Sequence, residues 1–244
     1  HKHELRSRLA LDAEVLAART DPRPELRYVV DVDWANARRL GLDEALLCDD
    51  LDTALADPQV AVVAELIGGA TIAREVIEKA LRAGKHVVTA NKALLAHHGP
   101  ALYALARQRG VCLAFEASCG GGIPIVRALT DGLLANRIDA LYGIVNGTCN
   151  SILTAMTQRG QTYEQALAAA QQAGLAEADP TLDVNGTDSA HKLAILAALA
   201  FGRRIDFDAI PVEGIDRLDL RDVQYGQELG YVVKLLAIAE RRAD

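Results

Sequence analysis

The feature that most constrains this chain is a series of short, almost wholly apolar runs separated by helical stretches. Leu26–Asp31 (LRYVVD), Val60–Ile67 (VAVVAELI), His86–Thr89 (HVVT) and Val111–Ala117 (VCLAFEA) each read as a strand. A strand that is apolar on both faces must be covered on both faces, which points to a parallel sheet layered between helices. Gly68-Gly69 and a predicted helix over Ile72–Ala83 follow the second run. A further helical segment, interrupted near Gly99-Pro100, joins the third run to the fourth. Right-handed crossovers then give a doubly wound, Rossmann-like layer of the α/β class. Glu4–Ala18 reads as a helix ahead of the first strand, and no G-x-G-x-x-G precedes Leu26. That turn lets the backbone reach a pyrophosphate. The expectation is a first strand and phosphate loop upstream of residue 1, in a fragment cut short at both ends.

After about residue 120 the pattern changes. Pro124–Ala135 is a predicted helix and Ala140–Val145 (ALYGIV) a strand. Helices are expected at Ser151–Gln158 and Tyr163–Ala173, then a polar, acidic loop from Ala176 to Asp188. A strongly apolar helix over Ser189–Phe201 is closed by Gly202, a usual C-terminal stop. The last helix is expected over Val223–Arg241. The predicted organisation is a truncated, Rossmann-like nucleotide-binding domain over 1–118 and a mixed α+β domain over 119–244.

Half of the 244 residues are hydrophobic, enough for a substantial core in one large domain or two smaller ones. The net charge is −7 and the Lys and Arg residues are scattered, which argues against a nucleic-acid partner. No apolar stretch approaches the roughly 18 residues that span a bilayer. The opening HKHELRSRLALD has no apolar core of a secretory signal. Cys48, Cys112, Cys119 and Cys149 form no CxxC pair, which points to a reducing cytoplasm.

Four segments carry candidate chemistry. Asp188 and Lys192 are four apart and so share one helix face, with the carboxylate in the first turn where the helix dipole favours it. Such a pair can hold a lysine for proton exchange with a hydroxyl or carbonyl; it is also the spacing of an ordinary ion pair. Glu177, Asp179 and Asp183 add carboxylates suited to an ammonium group, or to a solvated loop. In VVTANKALLA (Val87–Ala96) a strand ends and a helix begins near Lys92. That is the edge where open parallel sheets bind ligands, and equally a place for a surface lysine. In FEASCGGGIP (Phe115–Pro124) three glycines permit close backbone approach. Free carbonyls with Glu116 could ligate a hard cation, or the segment could be a hinge. Cys119 raises the rival reading of a nucleophilic thiol, which needs a nearby base and a lowered pKa that nothing local signals. In GIVNGTCN (Gly143–Asn150) Gly147 and Thr148 offer amides and a hydroxyl at a helix start, a seat for a carboxylate or a simple turn and cap. The six histidines show no metal-binding spacing.

Together and in order, AELIGG (Ala64–Gly69), GKHVVTANKALLA (Gly84–Ala96), FEASCGGGIPIV (Phe115–Val126), GIVNGTCNSIL (Gly143–Leu153) and GLAEADPTLDVNGTDSAHKLAILA (Gly174–Ala197) resemble the homoserine dehydrogenase family. The acidic loop running into D-x-x-x-K is the most specific of these. The resemblance implies NAD(P)-dependent interconversion of L-homoserine and L-aspartate 4-semialdehyde, on the route to threonine, methionine and isoleucine. It implies that Lys192 is the proton donor and acceptor, that Lys92 assists, and that Glu177 and Asp188 bind homoserine with Asp183 and the Gly147–Thr148 turn close by. Glu116, with the carbonyls of Cys119, Gly121 and Ile123, matches the family's monovalent-cation site, usually sodium. Ile67, Thr89, Lys92 and Gly174 fall where the family touches the cofactor. A cytoplasmic homodimer, formed through the second domain, is also implied. The family's N-terminal glycine-rich turn and closing segment are not found here. Asp31 and Asp33, where a ribose-binding acid sits, lean towards NAD. Two rival readings remain: a cysteine-dependent semialdehyde dehydrogenase acting through Cys119, and a non-catalytic substrate-binding and dimerisation module.

Overall fold

The computed structural model describes residues 24–33, 38 and 41–242. The predicted helix over Glu4–Ala18 lies outside the described residues. Contacts divide the chain into two units: residues 1–91 with 101–114, and residues 92–100 with 115–244.

The first unit is built on parallel pairing. Strand β1 (Val29–Val30) pairs with β2 (Leu47–Cys48), and a second sheet has the order β3 (Val62–Glu65), β4 (His86–Thr89), β5 (Leu113–Ala114). In the second sheet Val63 faces Val87 and Glu65 faces Thr89, so β3 and β4 end together. Helix α1 (Leu51–Ala56) was not legible in advance; Asp50 caps it, accepting from the amides of Asp52 and Thr53. Helix α2 (Thr71–Arg82) buries Ala73, Ile77, Ala80 and Leu81, positions on one helical face, and packs on β3 and β4. The strands are shorter than the apolar runs that encode them, but parallel pairing and the helical crossover follow the expectation.

Helix α3 (Lys92–Arg109) corrects one expectation, because it runs unbroken through Pro100. Proline costs the helix one backbone hydrogen bond. Leu94, Leu95, Leu102 and Ala106 are all buried on either side of it, and their burial outweighs the loss. Its residues 92–100 belong to the second unit.

In that second unit, a short helix α4 (Ile125–Arg127) continues as a wider turn over Ala128–Gly132. Strand β6 (Ala140–Gly143) leads into α5 (Gly147–Arg159), followed by α6 (Tyr163–Gln172), α7 (Thr181–Val184) and α8 (Thr187–Phe201). The acidic loop is therefore not wholly irregular, since α7 lies inside it. Cys149, Ile152, Leu153 and Met156 of α5 form a core with Ala166, Ala170, Val184, Ile215 and Val223.

The expected helix over Val223–Arg241 is a second correction. Helix α9 (Leu220–Glu228) ends there, and Gly230 takes a left-handed φ of 83°. The chain then extends, and β7 (Ala237–Glu240) pairs antiparallel with β6. The glycine stop and the β-branched Val232, Val233 and Ile238 favour strand over helix in this stretch.

Gly214 allows the segment beside α7 to come close: the Ile215 amide donates to the Val184 carbonyl at 2.7 Å. A Cβ at Gly214 would fall on that carbonyl oxygen and 2.6 Å from Asn185 Cα. Gly214→Ala is expected to lower unfolding stability by about 2 kcal/mol, the scale of forced overpacking, as read by urea denaturation of the chain.

Candidate active site

The site is assembled inside the second unit, where a cavity of about 470 Å3 is lined by Lys92, Asn146, Gly147, Thr148, Ser151, Leu175, Asp183, Asp188 and Lys192. Local sequence places each side chain. Gly186, at a φ of 85°, turns the chain into α8, so Asp188 enters its first turn with Lys192 one turn later. Asn146 ends the β6 segment and caps α5, its Oδ1 accepting from the Cys149 amide at 2.8 Å. Lys92 opens α3.

Asp188 is the centre. The residue is 4% exposed. Lys92 Nζ lies 3.0 Å from Oδ1, and Lys192 Nζ donates to Oδ2 at 2.6 Å. Asn146 Nδ2 donates to the same Oδ2 at 2.8 Å, and to Asp183 Oδ1 at 2.8 Å. Burial pushes the Asp188 pKa up, but hydrogen bonds from Lys192 and Asn146, with the charge of both lysines, hold it below the usual carboxylate value. Lys192 Nζ also donates to the Val145 carbonyl at 2.8 Å, which fixes its direction. The Lys192 side chain is 17% exposed and that of Lys92 40%. A lysine so held can give a proton to a substrate oxygen as the ammonium, or take one from it as the neutral amine.

The family profile described as "Homoserine dehydrogenase, NAD binding domain" matches residues 12–116, and the profile "Homoserine dehydrogenase" matches residues 124–243. A homoserine dehydrogenase of Pseudomonas aeruginosa is 53% identical over 192 residues, 79% of this chain and 44% of that protein. The crystal structure of a homoserine dehydrogenase from Thiobacillus denitrificans superposes with a TM-score of 0.89 at 44% identity, over 97% of this chain and 55% of that one. A putative homoserine dehydrogenase from Archaeoglobus fulgidus gives 0.84 at 30% identity, over 98% of this chain and 77% of that one. This chain belongs to the homoserine dehydrogenase family. It spans about half the length of the curated relatives it matches.

Of the residues that the family resemblance singles out, the cavity collects Lys192, Lys92, Asp188, Asp183, Gly147 and Thr148. Glu177 is not among its lining; it is exposed, and its carbonyl accepts from Gln171 Nε2 at 3.2 Å. The Thr148 hydroxyl donates to the Leu175 carbonyl at 2.9 Å, so the turn offers its backbone rather than that proton. Asn146, Ser151 and Leu175 were missed. An asparagine ahead of a helix reads as a cap, and nothing in its spacing reveals that its amide also reaches two distant carboxylates.

The first unit, which the NAD-binding-domain profile of the homoserine dehydrogenase family matches, shows a second buried carboxylate. Glu65, 2% exposed, accepts from the Ile67 and Gly68 amides at 2.7 and 3.1 Å and from the Thr89 hydroxyl at 2.6 Å. This holds the Gly68-Gly69 turn at the carboxyl edge of the sheet, the place for a nucleotide in such folds. Thr89 is 1% exposed with its hydroxyl committed to Glu65, so its backbone is what it can offer a cofactor.

The rival cysteine reading is not favoured. Cys119 is 1% exposed, and burial raises its thiol pKa. A nucleophile needs the opposite shift.

Because the folded Asp188 pKa lies below its ordinary 3.8, its ionised form stabilises the fold above that pH, and the contribution is lost as pH falls through the folded value. Urea midpoints measured at about pH 5 and about pH 3 are therefore expected to fall less in Asp188→Asn than in the unaltered chain. The variant is also expected to be the less stable at neutral pH, having left two lysines without their counter-charge.

Proposed function

We propose that this protein is an NAD(P)-dependent homoserine dehydrogenase, interconverting L-homoserine and L-aspartate 4-semialdehyde. The observation that carries the reading is the buried Asp188 carboxylate gripping two lysines at a cavity with the size and polarity for an amino acid. Asp183 has one oxygen engaged by Asn146, and its other oxygen is the seat for the substrate ammonium. The substrate carboxylate sits at the start of α5 on the Gly147 and Thr148 amides, where the helix dipole favours negative charge. In the reducing direction Lys192 protonates the oxygen that develops charge at the substrate's terminal carbon, and in the oxidising direction it accepts that proton. Lys92 adds positive charge beside that oxygen, and Asp188 keeps both lysines aimed.

The bound nicotinamide would supply or accept the hydride at the terminal carbon. The exposed Gly68-Gly69 turn beside Ile67 and the backbone of Thr89 fit such a ligand. The division into a nucleotide-binding region over 1–118 and a substrate-binding region over 119–244 is proposed with one amendment, that Lys92 serves the second. Glu116 and the carbonyls of Cys119, Gly121 and Ile123 would hold a monovalent cation, sodium by preference. The donor set fits: it is all oxygen with a single carboxylate, and Glu116 is drawn across the loop by the Val126 and Arg127 amides at 2.9 and 3.0 Å, leaving lone pairs on both oxygens. A homodimer through the second region and a cytoplasmic location belong to the same proposal. No helix of the described residues is long and apolar enough to cross a membrane.

Two measurements test the function. Calorimetric titration of the chain with L-homoserine should show saturable binding that Asp188→Ala loses; a folded chain that binds nothing speaks against the site. In the full-length protein, Lys192→Ala is expected to lower kcat by about 100-fold or more, the scale of a lost general acid–base, an effect far larger than its effect on folding stability. Unchanged turnover would remove Lys192 from the chemistry.

A further inference from the structure

We propose that Asn146 is a positioning residue that couples the substrate-binding carboxylate to the lysine-bearing one. The inference rests on the reading of the cavity as the homoserine site. Asn146 is 3% exposed and makes contacts in four directions. Nδ2 donates to Asp183 Oδ1 and to Asp188 Oδ2, both at 2.8 Å. Oδ1 accepts from the Cys149 amide, and the backbone carbonyl accepts from Asn150 Nδ2 at 3.0 Å.

The two bonds from one nitrogen set the relation between the carboxylates. An amide nitrogen has two N–H groups, and here both are committed. Asp183 lies in α7 and Asp188 in α8, with a turn between them. Two carboxylates so close repel, and a shared donor offsets that repulsion and fixes their separation. Asp183 thereby keeps one oxygen for an ammonium group, while Asp188 keeps its oxygens on Lys92 and Lys192. Asn146 does not itself move a proton. It acts through the groups that do.

Asn150 anchors Asn146 in turn. Its Nδ2 also donates to the Leu235 carbonyl, and its Oδ1 accepts from the Leu235 amide, both at 3.1 Å. The amide that meets the two acids is thus built into the α5 start and the segment leading into β7. The other titratable groups facing Asp188 are Lys92 from α3, Asp183 from α7, Lys192 and His191 from α8, and the buried thiols of Cys119 and Cys149. Loss of the Asn146 donor leaves the lysines as the groups that hold Asp188 ionised.

A capping role and a positioning role separate experimentally. Asp and Ser cap helices as well as Asn does, but neither supplies the two N–H groups. Asn146→Asp and Asn146→Ser are therefore made in the full-length protein, and thermal melting and the pH profile of kcat/KM for L-homoserine are measured. Asn146→Ser should melt close to the unaltered protein and Asn146→Asp lower, because it sets a third carboxylate beside Asp183 and Asp188; both should lose at least about tenfold in kcat/KM and show an acid limb moved to higher pH, because a lost donor, and in Asn146→Asp an added like charge, disfavours the ionised carboxylate. Wild-type kcat/KM in either variant, a loss with an unmoved acid limb, or collapse of both variants to unfolded chains would overturn the proposal. If the unaltered protein does not oxidise homoserine, the functional reading fails, and the coupling role falls with it.

Discussion

A carboxylate taken out of water must be compensated or it will not stay ionised. Asp188 meets that demand with three donors from three separate elements: Lys92 at the start of α3, Asn146 at the start of α5, and Lys192 one turn along α8. The relation is mutual. Two ammonium groups and an amide are brought to one point only because a negative charge is held there. Breaking one partner of such an arrangement leaves the others uncompensated, which is why buried pairs are costly to disrupt even where they add little net stability.

The surrounding fold supplies the placements this cluster requires. Glycine at 186 turns the chain into α8, and a Cβ there would lie 3.0 Å from the Glu213 carbonyl oxygen. Gly214 permits the backbone of that same segment to lie against the end of α7. Beneath, the α5 core of Cys149, Ile152, Leu153 and Met156 fixes the helix whose first turn carries Asn146. The Cys149 thiol donates to the Asp183 carbonyl at 3.1 Å and is itself pushed up to about 12, chiefly by burial. It serves as a donor, not as a nucleophile.

The first unit uses a buried carboxylate differently. Glu65 is surrounded by two backbone amides and a hydroxyl, with no lysine. It shapes a turn, whereas Asp188 aims two charged groups. The same residue class thus does structural work at one sheet edge and electrostatic work at the other site, and the partners decide which.

Much of this was open to sequence reading, for reasons of local physics. Apolar runs with helices between them require a parallel layer. The i,i+4 spacing of Asp188 and Lys192 ensures that they meet on one helical face, and the order of the motifs identifies the family. What stayed hidden was decided by partners far along the chain. Pro100 is tolerated because leucines on both sides are buried, and Gly230 with β-branched neighbours lets β7 pair with β6 where a helix was expected. Lys92 and Asp188 differ by 96 in sequence number, and Asn146 and Asp188 by 42. Local pattern determines which residues share a face; only the packed chain determines which faces meet, because a contact between distant segments has no signature in the spacing of either.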